Sequence, residues 1–275
     1  MRAQRSHGDD GGRVIVNGEA ADDLAACAAL VQRADPDRFA ATMATDPNAR
    51  EKLLPIYAFN AEVARAPWVT QESMIAEMRL QWWRDALEEI RAGDVVRRHE
   101  VVTPLALVLD AAGTEVLDQL IEARRWDIYR DPFEDAAHFE RYIEATAGGL
   151  MQVAAQALGA CPPQVARDVG YVLGLANWLQ AIPALEEAKR VPLVDGRPEA
   201  VAALAEAGLA RLRAARARRK DVTAGAGQAF LAAWQAEAIL RQAAQEPARV
   251  AAGALGISEF GKRAGLMWRA LSGRW

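Results

Sequence analysis

The sequence predicts an all-α protein with a single domain, and three observations carry this prediction. Alanine, leucine, arginine and glutamate dominate almost every segment after residue 19, and these residues have high helix propensity. Alternating runs of β-branched residues bounded by turns, which would indicate strands, are missing. Most connections between the predicted helices are short, and closely connected helices pack as antiparallel neighbours.

The first four helices are identified by their opening residues and their apolar spacing. "DDLAACAALVQRA" begins with Asp22 as the expected N-cap, and "DPDRFAATMAT" places Pro36 in a first helical turn. Asp46 opens "DPNAREKLLPIYAFNAEVARA", in which we expect a kink at Pro55. "TQESMIAEMRLQWWRDALEEIRAG" has Thr70 as its expected cap, and its apolar residues recur at spacings of three and four.

The remaining helices are expected after residue 101, with one interruption. "AIPALEEAKRVPLVDGRPEA" contains Pro183, Pro192 and Pro198, which argue against a regular helix there. The predicted helical ranges are 102–112, 114–130, 134–158, 164–182, 197–220, 222–246 and 249–272.

Composition places the chain among ordinary soluble globular proteins. Its net charge of −4 provides no basic field that would attract nucleic acid. Cys27 and Cys161 lack C-x-x-C spacing, which argues against a disulfide framework or a zinc site. No apolar run approaches the ~18 residues of a transmembrane helix. We therefore expect a cytoplasmic protein in which residues 1–18 form a flexible leader and residues 19–275 form the helical domain.

Three stretches, in this order, resemble the squalene/phytoene synthase family. "REKLLPIYAFNAEVARAPW" is similar to the family helix in which Tyr-Ala-Phe precedes the first aspartate motif. "MRLQWWRDALEEI" is similar to the tryptophan-rich helix that follows. "HFERYIEATAGGLMQVAAQALG" resembles the family's Tyr-Cys-x-x-x-Ala-Gly helix. The resemblance covers roughly residues 35–195.

The resemblance implies an isoprenoid synthase fold, in which a helical bundle surrounds a central cavity. In the family, two aspartate-rich motifs face each other and hold Mg²⁺, which binds the diphosphates of two prenyl substrates. Carboxylate oxygens suit this hard cation, and the cation neutralises the leaving group as the carbon–oxygen bond breaks.

The first aspartate motif is not matched. Counting from Tyr57, the family's adjacent aspartates fall on Ala64 and Arg65, and its third aspartate falls on Trp68. Alanine offers no ligand, and the charge of Arg65 would repel a cation by roughly 4 kcal/mol at an effective dielectric constant of 20. Glu62 is the remaining carboxylate, and we expect it to pair with Arg65.

The second motif is not matched either. The family's Leu-Thr-Asn-Ile-x-Arg-Asp-x-x-x-Asp corresponds to "LQAIPALEEAK", which places the expected aspartates at Leu185 and Lys189. No slip of register restores an i, i+4 pair, and Pro183 is expected to break the presenting helix. We therefore expect no metal and no cofactor. Mg²⁺ would be required only if the chain were an active prenyltransferase.

Other carboxylates have simpler explanations than metal binding. Asp131 and Asp135 are spaced i, i+4, but Asp131 precedes a proline and a helical run, so we expect it to be an N-cap. Asp85 and Glu89 are expected on a solvated helix face. Asp127 matches an aspartate that the family keeps, and alone it cannot organise a metal.

A set of aromatic, glycine and polar side chains remains as candidates for lining the cavity. Trp82 and Trp83 are adjacent and point about 100° apart, so we expect only one of them to line a cavity. The two glycines inside a helix are explained by an approaching ligand or by close helix packing. The candidates are Tyr57, Phe59, Arg65, Arg79, Trp83, Tyr142, Gly148, Gly149 and Gln152.

The last predicted helix, in "EFGKRAGLMWRALSGRW", combines basic residues with tryptophans and other apolar residues. Such a helix is typical of a membrane interface. An equally simple interpretation is that its apolar side docks onto the bundle.

These observations lead to a primary hypothesis and two alternatives. The missing aspartates and "MRLQWWRDAL" resemble a non-synthase branch of the family, represented by a mitochondrial assembly factor for respiratory complex I. This implies an assembly role at the inner face of the inner membrane, with Arg65 and Arg79 available to hold an anionic prenyl-lipid head group. An active prenyltransferase would instead show four or more carboxylates converging on one cavity. A phosphate-holding module would show converging basic side chains.

Overall fold

All regular structure in the described part of the chain is helical. The structure, a computed structural model, describes residues 11–70, 72–93 and 95–275, with side chains from residue 19 onward, and contains no strand within these ranges. The all-α prediction is therefore confirmed. Residues 1–10 of the expected leader lie outside the described residues, and the first helix begins at Gly11, inside that leader.

Fifteen α-helices follow one another in the described residues, with one π-helical and two 3₁₀ segments between them. The α-helices are α1 Gly11–Ala34, α2 Pro36–Met43, α3 Pro47–Arg65, α4 Ser73–Ala92, α5 Val102–Ala106, α6 Ala111–Arg124, α7 Trp126–Tyr129, α8 Ala136–Ile143, α9 Gly149–Leu158, α10 Pro163–Glu187, α11 Pro198–Ala217, α12 Ala224–Gly227, α13 Ala236–Gln245, α14 Ala248–Ala251 and α15 Glu259–Ser272. The π segment is Glu144–Gly148, and the 3₁₀ segments are Arg219–Asp221 and Gln228–Ala233.

Side-chain caps fix several of the helix starts. The Asp46 carboxylate accepts a hydrogen bond from the Ala49 amide and caps α3, as its position before Pro47 suggests. Two of the caps predicted for the first four helices are wrong. Asp22 lies inside α1, because that helix begins eleven residues earlier, and Thr70 lies outside α4, which begins at Ser73 with Glu72 at its N-cap.

Two apolar cores hold the bundle together. One contains Phe59, Trp83 and Met151, from α3, α4 and α9. The other contains Leu175 and Ile239, from α10 and α13. Helix α10 packs against the π segment, α9, α11 and α13, so it runs through the centre of the fold.

Glycines of α10 allow its close approach to the π segment. A Cβ at Gly170 would lie 2.5 Å from the Ala147 carbonyl oxygen, and one at Gly174 would lie 2.4 Å from the Ala147 Cβ. Separations this short exclude any side chain. By contrast, a Cβ at Gly148 or Gly149 would lie 3.3 and 3.1 Å from atoms of Arg167 and Val116. Of the two explanations for these glycines, the structure shows close packing against neighbouring helices.

The expectation that Pro183 breaks its helix is wrong. Helix α10 continues through Pro183 to Glu187, because a proline this near a helix end removes one hydrogen bond without ending the helix. The helix ends in a Schellman motif, with Lys189 in the left-handed region at φ 59°. The Lys189 amide donates to the Glu186 carbonyl at 2.8 Å, and the Arg190 amide donates to the Leu185 carbonyl at 2.9 Å.

The last helix, α15, has two apolar faces. Leu266 and Ala270 pack on a small cluster that includes Trp234. Phe260 and Leu271 lie on the other face and are 83% and 81% exposed. Among the described residues, no helix has the length and apolar character needed to cross a membrane.

Candidate functional site

A central cavity of about 240 Å³ lies where α3, α6, α8, α10 and the π segment meet. Its apolar wall is formed by aromatic and aliphatic side chains, and two asparagines and one threonine add neutral polar groups. The apolar and aromatic members are Trp68, Tyr142, Ile143, Leu150, Trp178 and Leu185, and the neutral polar members are Asn60, Thr146 and Asn177.

The charged groups that line this cavity are mainly basic. Arg38, Arg124 and Arg190 line it together with a single carboxylate, that of Asp127. In the part of the chain that the structure describes, no group of three or more histidine, cysteine, aspartate or glutamate residues is placed to hold a metal ion.

Asp127 is already fully engaged with its neighbours. It is 3% exposed, and the Tyr142 hydroxyl donates to its Oδ1 at 2.9 Å. Arg124 Nη1 donates to Asp127 Oδ2 at 3.1 Å and to the Tyr142 hydroxyl at 2.7 Å. Burial raises the pKa of Tyr142 although the nearby Arg124 charge opposes it, so the hydroxyl keeps its proton and donates.

Arg190 is the cavity's unbalanced charge. It is 8% exposed, and the Schellman motif at the end of α10 directs the chain so that its side chain reaches the cavity. Its guanidinium lies 4.3 Å from the ring centre of Trp68 and donates through Nη2 to the Asp127 carbonyl. Nε and Nη1 are buried without a hydrogen-bond partner. No carboxylate among the described residues lies within ion-pair distance of it.

Burial and the neighbouring charges shift the pKa of Arg190 in opposing directions. Burial lowers the pKa of Arg190, Asp127 opposes that effect, and the charge of Arg130 adds to it. The guanidinium nevertheless stays protonated, because its ordinary pKa is far above neutrality. The cavity therefore contains a permanent buried cation with free donors.

Arg38 also lines the cavity, and its charge is balanced by an ion pair. Its Nε donates to Asp35 Oδ2 at 2.8 Å, and its guanidinium lies 4.9 Å from the ring centre of Tyr57. Tyr57 itself is 2% exposed and belongs to the core. Burial raises the pKa of Tyr57 to about 12, although the charge of Arg38 opposes this shift.

The positions that align with the family's aspartates fall into two groups. Trp68 and Leu185 line the cavity and present apolar surface to it. Ala64 is half-buried, and Arg65 and Lys189 are exposed. The expected pair between Arg65 and Glu62 is present at 3.5 Å.

A second, separate pocket of about 200 Å³ gathers other predicted residues. Arg65 and Arg79 line it with Trp82, Trp83 and His99. The expectation that only one of the two tryptophans lines a cavity is wrong, because their rings pack edge to face at 4.9 Å and both reach this pocket. Arg65 and Arg79 thus lie together, but outside the central cavity.

Of the remaining candidates, only Tyr142 lines the central cavity. Phe59 is 0% exposed and packs edge to face on Trp83 at 5.4 Å. Gln152 accepts a hydrogen bond from Arg167 Nε at 2.6 Å. Gly148 and Gly149 serve the helix packing described above.

The alternative carboxylate pairs are occupied by other partners. Asp135, and not Asp131 as expected, caps α8 by accepting from the His138 amide at 2.7 Å. Asp85 accepts from Gln81 Nε2 at 2.8 Å. Hydrogen bonds from Arg97 lower the pKa of Glu89 to about 2, so this carboxylate is held by a guanidinium.

The sequence reasoning missed the three cavity arginines. Arg124 lies three residues before Asp127, whose match to a family aspartate was its only signal, and the two pair in the fold. Arg190 had a weaker signal, since it directly follows the residue aligned with the last aspartate. No feature of the sequence distinguishes Arg38 from the chain's many other arginines.

Comparison with known proteins identifies the class. The sequence model of the squalene/phytoene synthase family matches residues 31–257. The chain therefore belongs to the squalene/phytoene synthase family, as its three stretches and its fold suggested.

Curated relatives within this family are similar over part of their length. The chain is 26% identical over 178 residues to "NADH dehydrogenase (ubiquinone) complex I, assembly factor 6 homolog" of Drosophila melanogaster, covering 61% of this chain and 53% of that protein. It is 22% identical over 166 residues to assembly factor 6 of Homo sapiens, covering 57% of this chain and 48% of that protein. The chain spans about half the length of these relatives.

Solved structures support the fold. A dehydrosqualene synthase crystal structure superposes with a TM-score of 0.76 at 15% identity, covering 93% of this chain and 97% of that one. A squalene synthase from Alicyclobacillus acidocaldarius superposes with a TM-score of 0.68 at 17% identity, covering 83% and 95%. At this identity the likeness establishes the isoprenoid synthase fold alone.

Proposed function

We propose that this protein is a non-catalytic member of the squalene/phytoene synthase family that assists the assembly of a respiratory membrane complex. The observation that carries the proposal is the charge lining the central cavity, where three arginines face one carboxylate. The curated relatives are named as complex I assembly factors. For this reason we propose a respiratory complex as the assembly that this protein assists.

The lining charges argue against the family's reaction. Mg²⁺ is held by carboxylate oxygens, and Asp127 already accepts from Tyr142 and Arg124. A cation about 4 Å from a guanidinium is repelled by roughly 4 kcal/mol at an effective dielectric constant of 20. Among the alternatives considered from the sequence, an active prenyltransferase needs four or more converging carboxylates, whereas this cavity has converging basic side chains.

The proposed location is the cytoplasmic face of the inner membrane, reached through α15. Phe260, Trp268 and Leu271 form an exposed apolar stripe, and Arg263 and Arg274 add positive charge to the same end of the molecule. An apolar stripe with a basic margin suits the surface of an anionic membrane.

The assembly role is tested by deleting the gene in the organism that encodes the chain. We expect the deletion to lower the fraction of NADH dehydrogenase subunits found in the full-size complex, as measured on native gels with an in-gel activity stain. Reintroducing the wild-type gene should restore it. An unchanged complex in the deletion strain would contradict the proposal.

The absence of catalysis is tested separately with the purified protein. Thermal unfolding is measured with farnesyl diphosphate, with and without Mg²⁺, because a ligand that binds only the native state raises the midpoint. We expect no stabilisation that depends on Mg²⁺, and no release of diphosphate on prolonged incubation. Mg²⁺-dependent stabilisation accompanied by product would establish the prenyltransferase alternative instead.

A further inference from the structure

The central cavity has an uncompensated positive charge. Arg38 is paired with Asp35, and Arg124 is paired with Asp127. Arg190 forms no ion pair among the described residues, so the charge of its guanidinium is uncompensated. A buried charge without a partner costs several kcal/mol of folding free energy. Binding of an anionic ligand would explain why such a charge is retained.

The donors of Arg190 are held ready for a ligand. The Asp127 carbonyl fixes one end of the guanidinium, and the Trp68 ring lies 4.3 Å from its centre. These contacts set the orientation of the planar group while Nε and Nη1 stay unpaired. Nε–H and Nη1–H point from different edges of the planar guanidinium, and each is a charged donor free to bind an oxyanion oxygen.

Other polar groups at the cavity suit the same kind of ligand. Arg124 Nε is also buried without a partner, and the side-chain amides of Asn60 and Asn177 line the cavity. Several donors around one anion, with a net positive charge, are typical of phosphate sites. A cavity of about 240 Å³ is smaller than the usual ~300–1,000 Å³ of pockets that enclose whole organic ligands, so it suits a head group.

We propose that this cavity binds a phosphate or diphosphate group without any metal ion, and that Arg190 is its principal ligand. The group comes either from free phosphate or from the head of a phosphorylated lipid whose chain lies outside the cavity. The site does not depend on the assembly role, because its argument rests on the groups that line the cavity. It also differs from the synthase arrangement, since the anion is neutralised by guanidinium groups in place of Mg²⁺.

The test measures thermal unfolding of the full chain with three probes in the presence of EDTA. The probes are inorganic phosphate, diphosphate and farnesyl monophosphate, each against chloride at the same ionic strength so that general salt effects cancel. We expect stabilisation that Mg²⁺ does not increase. Stabilisation by inorganic phosphate identifies a free-phosphate site, and stabilisation by farnesyl monophosphate alone identifies a lipid head-group site. Stabilisation by none of the probes, or only with Mg²⁺, overturns the proposal.

Two variants separate this cavity from the second pocket. Arg190→Gln is expected to weaken binding of the effective probe by at least about tenfold, because the buried charge and its charge-assisted hydrogen bond to the anion are lost. Arg65→Gln is the matched control, because Arg65 is an exposed arginine that lines the second pocket with Arg79. We expect this variant to bind the probe as tightly as the wild type. Loss of binding in Arg65→Gln with retention in Arg190→Gln would place the anion in the second pocket and refute the proposal.

A ligand-free measurement distinguishes a binding residue from a structural one. Arg190→Met removes the buried charge and keeps an unbranched side chain beside Trp68. In buffer without phosphate we expect the unfolding midpoint of Arg190→Met to equal or exceed that of the wild type, because the unpaired charge is relieved. A lower midpoint would mean that Arg190 is retained for the fold, and the proposal would fail.

Discussion

Among individual side chains, Asp127 has the most connections at the cavity. It receives hydrogen bonds from Tyr142 and Arg124, and its backbone carbonyl receives one from Arg190. The side chain is nearly fully buried, so water cannot replace a lost partner. Loss of the Asp127 charge should therefore cost more stability than loss of any one of these hydrogen bonds.

Replacing Asp127 with asparagine preserves its shape and removes its charge. We expect Asp127→Asn to lower the free energy of unfolding by about 3–5 kcal/mol, because Arg124 is then buried without its carboxylate partner. Urea unfolding measures the change. Asp118→Asn is the control, since Asp118 pairs with Arg84 at the surface, and it should cost at most about 1 kcal/mol. Equal losses in the two variants would contradict this explanation.

The cavity residues also show what sequence reasoning can and cannot reach. Tyr142 and Asp127 were identified because they stand in stretches with a recognisable order. Arg190 could not be placed, because its position depends on α10 continuing past Pro183 and ending in a left-handed residue, Lys189. Nothing in the sequence predicts a lysine there, since glycine or asparagine usually occupies that position.

Between helices, α10 packs tightly against the π segment. The spacing of Gly170 and Gly174 gives α10 a flat side, and the wider turn of the π segment brings Ala147 onto it. Thr146 donates to the Tyr142 carbonyl at 2.7 Å within this region. Because Tyr142 and Ala147 both line the cavity, the packing of these two elements determines the cavity's shape.

Adding a methyl group at this contact tests its tightness. Gly170→Ala gains up to about 1 kcal/mol of helix propensity, but its Cβ would meet a backbone oxygen that cannot move aside. We expect a net loss of about 1–2 kcal/mol of stability in chemical denaturation. Gly265→Ala is the matched control, because its Cβ would make only ordinary contact with Trp234 at 3.7 Å. Gly265→Ala should leave the stability unchanged or raise it. A change in stability of the same sign in both variants would refute the explanation.

Glu237 connects α13 to α11 and α15. Its carboxylate pairs with Arg216 at 2.8 Å, Arg241 at 2.6 Å and Arg269 at 3.6 Å. Burial alone would raise the pKa of Glu237, but the hydrogen bond and charge of Arg216 and the charges of the other two arginines lower it. A lowered folded-state pKa means that this carboxylate stabilises the fold above its unfolded pKa and that the contribution is lost as the pH falls.

We expect Glu237→Gln to cost about 1–3 kcal/mol at pH 7, because three arginines lose one shared partner. The difference from wild type should be constant between pH 6 and 8 and should shrink below about pH 4.3, where the unfolded glutamate is protonated. Urea unfolding across this range measures it. Glu246→Gln serves as the control, since Glu246 is exposed and lies 3.9 Å from its arginine partner. A difference that grows toward acid would contradict this account.

For the protein as a whole, the fold was more predictable than the site. Helix propensity and apolar spacing are local, so the all-α class and most helix positions followed from the sequence. Interruptions such as the π segment and the loop before α15 depend on contacts between distant segments. The spacing of apolar residues along the chain does not predict them. The sequence predicted that the aspartate motifs are unmatched, whereas finding the arginines that line the cavity required the fold.

The exposed face of α15 gives a prediction about the membrane. We expect the full chain to cosediment with vesicles that contain anionic lipid. Replacing Phe260, Trp268 and Leu271 together with serine should weaken partitioning by at least about tenfold, because each buries apolar area at the interface. A control that replaces Met74, Met78 and Leu107, which are exposed on α4 and just after α5, should bind like the wild type. Equal weakening by both sets would argue against α15 as the contact.

The contact between Arg190 and Trp68 also constrains how this lineage can evolve. If a mutation introduced aspartate at position 68, the new carboxylate would meet the unpaired guanidinium beside it and form an ion pair. A carboxylate neutralised in this way would attract no cation, so the first step toward a metal site would bring selection no benefit. Only a lineage that had already replaced Arg190 could accumulate aspartates usefully. On the proposed function, the order of such substitutions matters as well as their number.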